Sequence, residues 1–170
     1  MNARRCLSFQ TQDKGMMDME FRKKIKTVIY GCDICQICCP YNRGLDNALA
    51  TDIDPELAHP ELIPFIELSN GQFKEKFGMV AGSWRGKNIL QRNAIIALAN
   101  ANDRSAIPKL LEIIETSQNQ IHIATAIWSL GELIREVTPD LVDLLTSLKN
   151  PSPAIIEERE RFFQKFHLDE

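Results

Sequence analysis

From about Asn88 onward the apolar residues fall at helical spacing, and the pattern recurs. RNAIIALA (92–99) aligns with ATAIWSLG (124–131) at an offset of 32 residues, setting Ala94 on Ala126, Ile95 on Ile127, Ile96 on Trp128 and Leu98 on Leu130. AIPKLLEII (106–114) aligns with VTPDLVDLL (137–145) at an offset of 31, setting Pro108 on Pro139 and Leu110 on Leu141. Each unit therefore predicts a helix, a short turn, a proline near the next helix start and a second helix. Proline suits the first turn of a helix because its missing N–H has no intrahelical partner there.

Two helices per unit and a period near 31 point to an α-solenoid of short HEAT-type repeats. Two such units leave an outer face to cover. The final amphipathic stretch AIIEERERFFQKF predicts a capping helix with Ile156, Phe162, Phe163 and Phe166 inward. Trp128 and this aromatic stripe read as core packing. Upstream, breakers (Pro55, Pro60, Pro64, Gly71, Gly78, Gly82) separate short pieces, and LIPFIEL and GQFKEKFGM predict two short helices, the second with Phe73 and Phe77 on one face. Residues 1–45 show little periodicity. The expectation is a mainly α chain in three parts: a cysteine-bearing segment 1–45, a helical connector 46–87, and HEAT-like repeats with a C-terminal cap over 88–170.

The first part holds all five cysteines, four of them within GCDICQICCP (31–40). Cys32-x2-Cys35-x3-Cys39-Pro40 matches the end of a ferredoxin-type ligand run, in which the last Cys, before Pro, ligates the other cluster of a pair. Soft thiolates suit iron. Cys38 complicates the assignment, because Cys32-x2-Cys35-x2-Cys38 is also a triplet of suitable spacing. The third thiol beside Cys32 and Cys35 is either Cys38 or Cys6, and spacing leaves both open. A zinc ribbon would place a second C-x2-C some 15–20 residues on, and a thioredoxin-like pair would sit near a βαβ pattern; neither follows here. Two cubane clusters held by cysteine alone take about eight thiols, so five make an incomplete set.

Charge and composition narrow the class. With 44% apolar and 25% charged residues the composition is globular, and the net charge of −3 excludes a uniformly basic nucleic-acid binder. No signal peptide is visible, and no run approaches the roughly 18 apolar residues of a membrane span. The expected location is the cytoplasm, where thiols stay reduced and clustered cysteines mean metal or redox chemistry. Charge is uneven: residues 1–30 carry seven Lys/Arg against three acids, and SWRGKNILQRN (83–93) has Arg85, Lys87 and Arg92 with no acid. Such a patch can engage phosphates, with Ser83 and Trp84 beside it and Trp84 free to stack on an unpaired base. No catalytic constellation is visible; His59, His122 and His167 stand alone.

NARRCLSFQTQDKG, YGCDICQICCPYNRG and FKEKFGMVAGSWRGKNILQRNAIIALAN together resemble the C-terminal part of the epoxyqueuosine reductase family, in order and over essentially all 170 residues. The combination of ARRC with GCDxCQxxCP is the specific part. That family uses cobalamin and two 4Fe–4S clusters to remove the epoxide oxygen from epoxyqueuosine at the tRNA wobble position, a step of queuosine biosynthesis. The resemblance implies that Cys6, Cys32 and Cys35 ligate one cluster, completed by an upstream cysteine. It implies that Cys39 ligates the other cluster, that Ser83, Trp84, Arg85, Lys87 and Arg92 face tRNA, and that Leu7–Gly15 lies near the cofactor wall. Cys38, where the family commonly has an ordinary residue, is left spare and is the departure that keeps the triplet alternative open. No catalytic residue is expected within the chain. The cobalamin domain and the remaining thiols are expected upstream, on a partner polypeptide or in a longer gene product, and the chain alone is expected to be inactive. The electron donor is not implied. The alternative from another class is an adaptor or electron-transfer module, with a 4Fe–4S site and a HEAT-like binding surface; a third is an RNA-binding remnant without metal.

Overall fold

The computed structural model describes residues 2–44 and 54–168, so the expected boundary at 45/46 lies outside the described residues. Among the described residues the regular structure is helical, without a strand. Three one-turn helices carry the N-terminal segment: α1 (Leu7–Gln10), α2 (Met19–Arg22) and α3 (Ile34–Ile37). Then come α4 (Pro55–Ala58), α5 (Leu62–Glu67) and α6 (Asn70–Phe77). The repeats follow as α7 (Lys87–Asn100), α8 (Ile107–Thr116), α9 (Gln120–Leu133) and α10 (Pro139–Thr146), with α11 (Pro153–Lys165) last.

Local chemistry sets most of these starts. Ser69 and Gln72 form a reciprocal capping box on α6. Asn119, Thr138 and Ser152 each accept a first-turn N–H, for α9, α10 and α11. Pro108 and Pro139 sit at the starts of α8 and α10, as the repeat alignment predicts.

Helix α9 is the centre, packed against α7, α8 and α11. Its residues Ala124, Ala126, Ile127 and Leu130 are fully buried with Ile95, Leu110, Leu145 and Ile155. Each large aliphatic side chain so buried contributes about 1.5–3 kcal/mol. A second core joins Phe65 of α5 to Phe73 and Phe77 of α6; the Phe65–Phe77 rings meet edge to face at 5.1 Å, and Phe73 stacks on Phe77.

The cap closes on the expected aromatic face and differs from expectation at its first position alone. Ile156 is 36% exposed and Ile155 takes the inward position, with Phe162 and Phe163 buried and Phe166 packed alongside. Ile155 shares the inward face with Phe162 at i, i+7 spacing. Glu158, on the same face, is buried and pairs with buried Arg22 at 2.8 Å, tying α11 to α2. Trp128 is core, as expected, and carries the Arg22 and Lys23 cations 5.4 Å from its ring.

The join between segment and repeats is polar and buried. Gln91, Arg92 and Asn93 are consecutive in α7, and each is almost wholly inaccessible. Gln91 donates to the carbonyls of Phe65, Ile66 and Leu68. Arg92 donates to Gln10, Asp13 and Gly15 at 3.0, 2.8 and 2.6 Å. Asn93 donates to Thr11 and Ile29, both at 2.7 Å, and its own carbonyl accepts from Arg92. Two turns on, Asn100 donates to Arg22 and Lys26. Burial pushes the Arg92 guanidinium down to about 10, which still leaves it charged at neutral pH. This corrects the expected phosphate contact by Arg92: the side chain is 1% exposed and spent on backbone oxygens.

Two outcomes follow from these contacts. Asn93→Ala strands two carbonyls, each costing about 1–3 kcal/mol when left buried and unpaired. Urea denaturation should report that loss, and amide exchange should rise first around residues 11–31; unchanged exchange there would count against the tether. His122 donates Nε2–H to Asn88 O at 2.8 Å. Burial, then the Lys87 and Arg92 charges, hold its pKa below the ordinary imidazole value against that hydrogen bond. Its contribution to stability is therefore full above the unfolded pKa of about 6.5 and is lost as the pH falls toward the lower folded value. His122→Gln, which keeps a donor, should flatten the acid limb of the stability curve.

Candidate metal centre

Cys6 stands between two turns that fix its backbone from both sides. Its N–H donates to Ala3 O at 3.0 Å, closing the 3-10 turn Ala3–Arg5, and its carbonyl accepts from Gln10 N at 3.1 Å, opening α1. The Gln10 amide reaches back to Arg4 O at 2.6 Å. Thr11, fully buried, comes next; its hydroxyl donates to Ser8 O at 2.9 Å and accepts the Gly31 N–H at 3.1 Å. One hydroxyl thus links the Cys6 turn to the residue before Cys32.

Gly31 has φ +75°, the left-handed region that costs other residues roughly 1–2 kcal/mol. The reversal there delivers Cys32 to the start of the second turn. Ahead of it, the Tyr30 ring lies on Gly82, where an added Cβ would come within 2.8 Å of the ring. The Tyr30 hydroxyl accepts from Trp84 Nε1 at 3.3 Å.

Helix α3 carries Cys35 and ends on Cys38, whose N–H donates to Ile34 O at 2.9 Å. Cys39 follows in extended conformation and begins the 3-10 turn Pro40–Asn42. Asn42 braces the loop by donating to the backbone and side-chain oxygens of Gln36 at 3.0 and 2.9 Å.

All five thiols are free; Cys35 and Cys38 are exposed and the others half-buried. A cavity of about 480 Å³ is lined by Cys6, Cys32, Cys35 and Cys38, with Arg5 and Leu7 at its edge. Cys39 is not part of that lining. Sequence spacing left Cys6 and Cys38 as alternatives, and the fold sets both on the same cavity. Among the described residues, no three Cys, His, Asp or Glu side chains converge on one ion. A cubane asks for something else: each thiolate takes a separate iron corner, so the sulfurs stand apart around a cage. A cavity lined by several thiols fits an iron–sulfur cluster by its donor set.

A second cavity, about 390 Å³, shares Cys6 and is lined by Phe9, Gln12, Trp84 and Arg85 among others. Arg85 donates Nε–H to Gln12 O at 2.7 Å, and its guanidinium lies 4.7 Å from the Trp84 ring centre. Trp84 is 66% exposed. Ser83 donates its hydroxyl proton to Gly78 O at 2.8 Å, and Lys87 reaches Leu68 O at 3.1 Å. The fold therefore brings Trp84 and Arg85 beside Cys6, keeps Ser83 and Lys87 partly accessible, and removes Arg92 from the surface.

Sequence reasoning missed Thr11, Tyr30 and Asn93. A signal existed for Asn93: three adjacent polar residues, Gln91 to Asn93, precede six apolar ones in one helix, and such a run is buried only if hydrogen-bonded. No local pattern marks Thr11 or Tyr30.

Residues 1–42 match the family described as a 4Fe-4S double cluster binding domain, and residues 86–159 match HEAT repeats. The chain is 54% identical over 135 residues to the epoxyqueuosine reductase of Lactococcus garvieae, covering 78% of this chain and 38% of that protein. It is 50% identical to the Bacillus subtilis epoxyqueuosine reductase over the same length, covering 35% of it. The structure of epoxyqueuosine reductase from Streptococcus thermophilus superposes with a TM-score of 0.91 at 66% identity, over 98% of this chain and 45% of that one. An epoxyqueuosine reductase crystallised with an epoxyqueuosine-modified tRNA-Tyr stem loop gives a TM-score of 0.87 at 42% identity, again over 98% and 45%. The chain spans less than half the length of these relatives. With a double-cluster domain and HEAT repeats in that order, it belongs with the epoxyqueuosine reductases, as a homologue of their C-terminal portion.

Proposed function

We propose that this chain forms the cluster-bearing and RNA-facing part of an enzyme that reduces epoxyqueuosine to queuosine at the tRNA wobble position. The observation that carries the reading is the cavity where the distant Cys6 meets Cys32 and Cys35. In this reading those three thiolates hold one 4Fe–4S cluster and Cys39 contributes to a second. The remaining ligands, and the cobalamin, are supplied by protein outside residues 1–170. When bound, the clusters and cobalamin supply the electrons that remove the epoxide oxygen.

The chain's own residues hold and orient. Thr11 and Gly31 fix the distance between the two cysteine turns, and Arg5, paired with Glu20 at 2.8 Å, lines the cavity between them. Trp84 offers an exposed ring for a base, with Arg85 pinned beside it; Ser83 belongs to the same 3-10 turn, Ala81–Arg85, and Lys87 follows it. The division into 1–45, 46–87 and 88–170 serves this reading as cluster segment, connector and repeat domain. Among the described residues no helix is long and apolar enough to cross a membrane. The proposed site of action is the cytoplasm, where tRNA is modified.

Two measurements check the reading. Anaerobic treatment with ferrous iron and sulfide should load the chain with iron, seen by iron counting and EPR; a chain that binds none would sink the cluster assignment. Trp84→Ala should weaken binding to an anticodon stem loop by the roughly 1–3 kcal/mol of a lost stack. Lys87→Ala should lower the salt slope of binding by about one. Anisotropy titrations in which neither variant differs from the parent chain would remove this turn from the RNA interface.

A further inference from the structure

We propose that the basic ridge running from Arg5 past α2 to the end of α11 is the docking surface for a small acidic electron-transfer protein. The proposal rests on the reading of the Cys6 cavity as a cluster site and adds the partner that the reduction requires. Converting an epoxide to an alkene, with its oxygen lost as water, takes two electrons and two protons. The protons come from solvent, and the electrons from two reduced donors, each oxidised by one electron. The reductant meets the protein twice in each turnover, and encounters of that kind are brief and steered by charge.

Two carboxylates, each shared by two bases, build the ridge. Glu20 accepts from Arg5 and from Lys24, both at 2.8 Å. Glu132 accepts from Lys23 at 2.5 Å and from Lys165 at 2.7 Å. Lys23 and Lys24 are neighbours directly after α2, so the two clusters join into one band of four bases against two acids. Asp18, at the start of α2, and exposed Lys26, beyond its end, balance each other. The two central ammonium groups are held over rings: Lys24 Nζ lies 5.4 Å from the centre of Phe21, and Lys23 Nζ lies equally far from Trp128. At its other end the band reaches the thiols, because Arg5 lines the cavity of Cys6, Cys32 and Cys35.

The chemistry of the ridge favours a protein over RNA. Phe21 and Trp128 are buried, so neither ring is offered to a base, and the exposed apolar side chain beside Glu20 is Met19. Carboxylates interleaved with the bases repel a continuous run of phosphates, whereas the spaced acids of a protein surface fit between them. The ring that suits a base, Trp84, lines the other cavity at Cys6.

The test uses the full-length protein that contains this chain, with a reduced plant-type ferredoxin as the acidic probe, and reads complex formation by calorimetric titration. The parent should bind at low salt and lose affinity as ionic strength rises. Lys23→Glu/Lys24→Glu should weaken binding by about tenfold or more. The uncharged Lys23→Gln/Lys24→Gln should lose less, and it carries the test if circular dichroism shows the reversed pair unfolded. Lys149→Glu, between α10 and α11, should bind as the parent does. In stopped-flow, reduction by ferredoxin should slow in the ridge variants, while reduction by dithionite, which needs no docking, should not. Parental affinity in the ridge variants overturns the proposal, as does an equal loss in Lys149→Glu. A loss confined to binding of an anticodon stem loop overturns it too, by assigning the ridge to RNA. A protein that takes up iron but binds no ferredoxin keeps the cluster reading and removes the docking site; one that takes up no iron removes both.

Discussion

Asn93 and Arg92 donate from the middle of α7 to the carbonyls of Gln10, Thr11, Asp13, Gly15 and Ile29, and the rest of the molecule is arranged around that exchange. An irregular segment has carbonyls that no helix or sheet ladder satisfies, and burying them unpaired would be costly. Here a regular helix supplies the donors from side chains. The price is a cationic guanidinium in the interior, offset by oxygens on several sides. Gln91 and Asn100 extend the arrangement along the helix, toward α5 on one side and the end of α2 on the other. One helix thereby templates the coil that carries the cysteines.

The repeats make this possible because α7 is held rigidly from behind. Helix α9 packs against it and against α11, which in turn is linked to the N-terminal segment by the buried Arg22–Glu158 pair. The segment is therefore attached at two well-separated places, to the first repeat helix and to the last. Removing one partner of the buried pair would leave an uncompensated charge, which is why such pairs are expensive to break whatever their net contribution.

The repeats were legible because their periodicity is a property of the helices themselves: two aligned units, prolines at first turns, and a capping stretch. One position of the cap was misread, Ile156 for Ile155, since the two are equally apolar and only packing against the repeats separates them. The cysteine ligand pattern was legible from spacing, yet spacing could not decide between Cys6 and Cys38, because their meeting depends on a fold reversal at Gly31 and a contact across twenty residues. Arg92 was read as a surface cation because a charged residue is usually exposed. Its burial is a tertiary fact, set by carbonyls lying 77–82 positions away in the chain.

The Thr11 hydroxyl, between the Ser8 carbonyl and the Gly31 N–H, has a further meaning for how the centre is maintained. In a small zinc finger the metal gathers the loops, and the fold dissolves when it leaves. Here the spacing of the two cysteine turns is set from the protein side, by a seam that contains no sulfur. A seam of that kind is ordering supplied by the protein, which lowers what a cofactor bound there must supply.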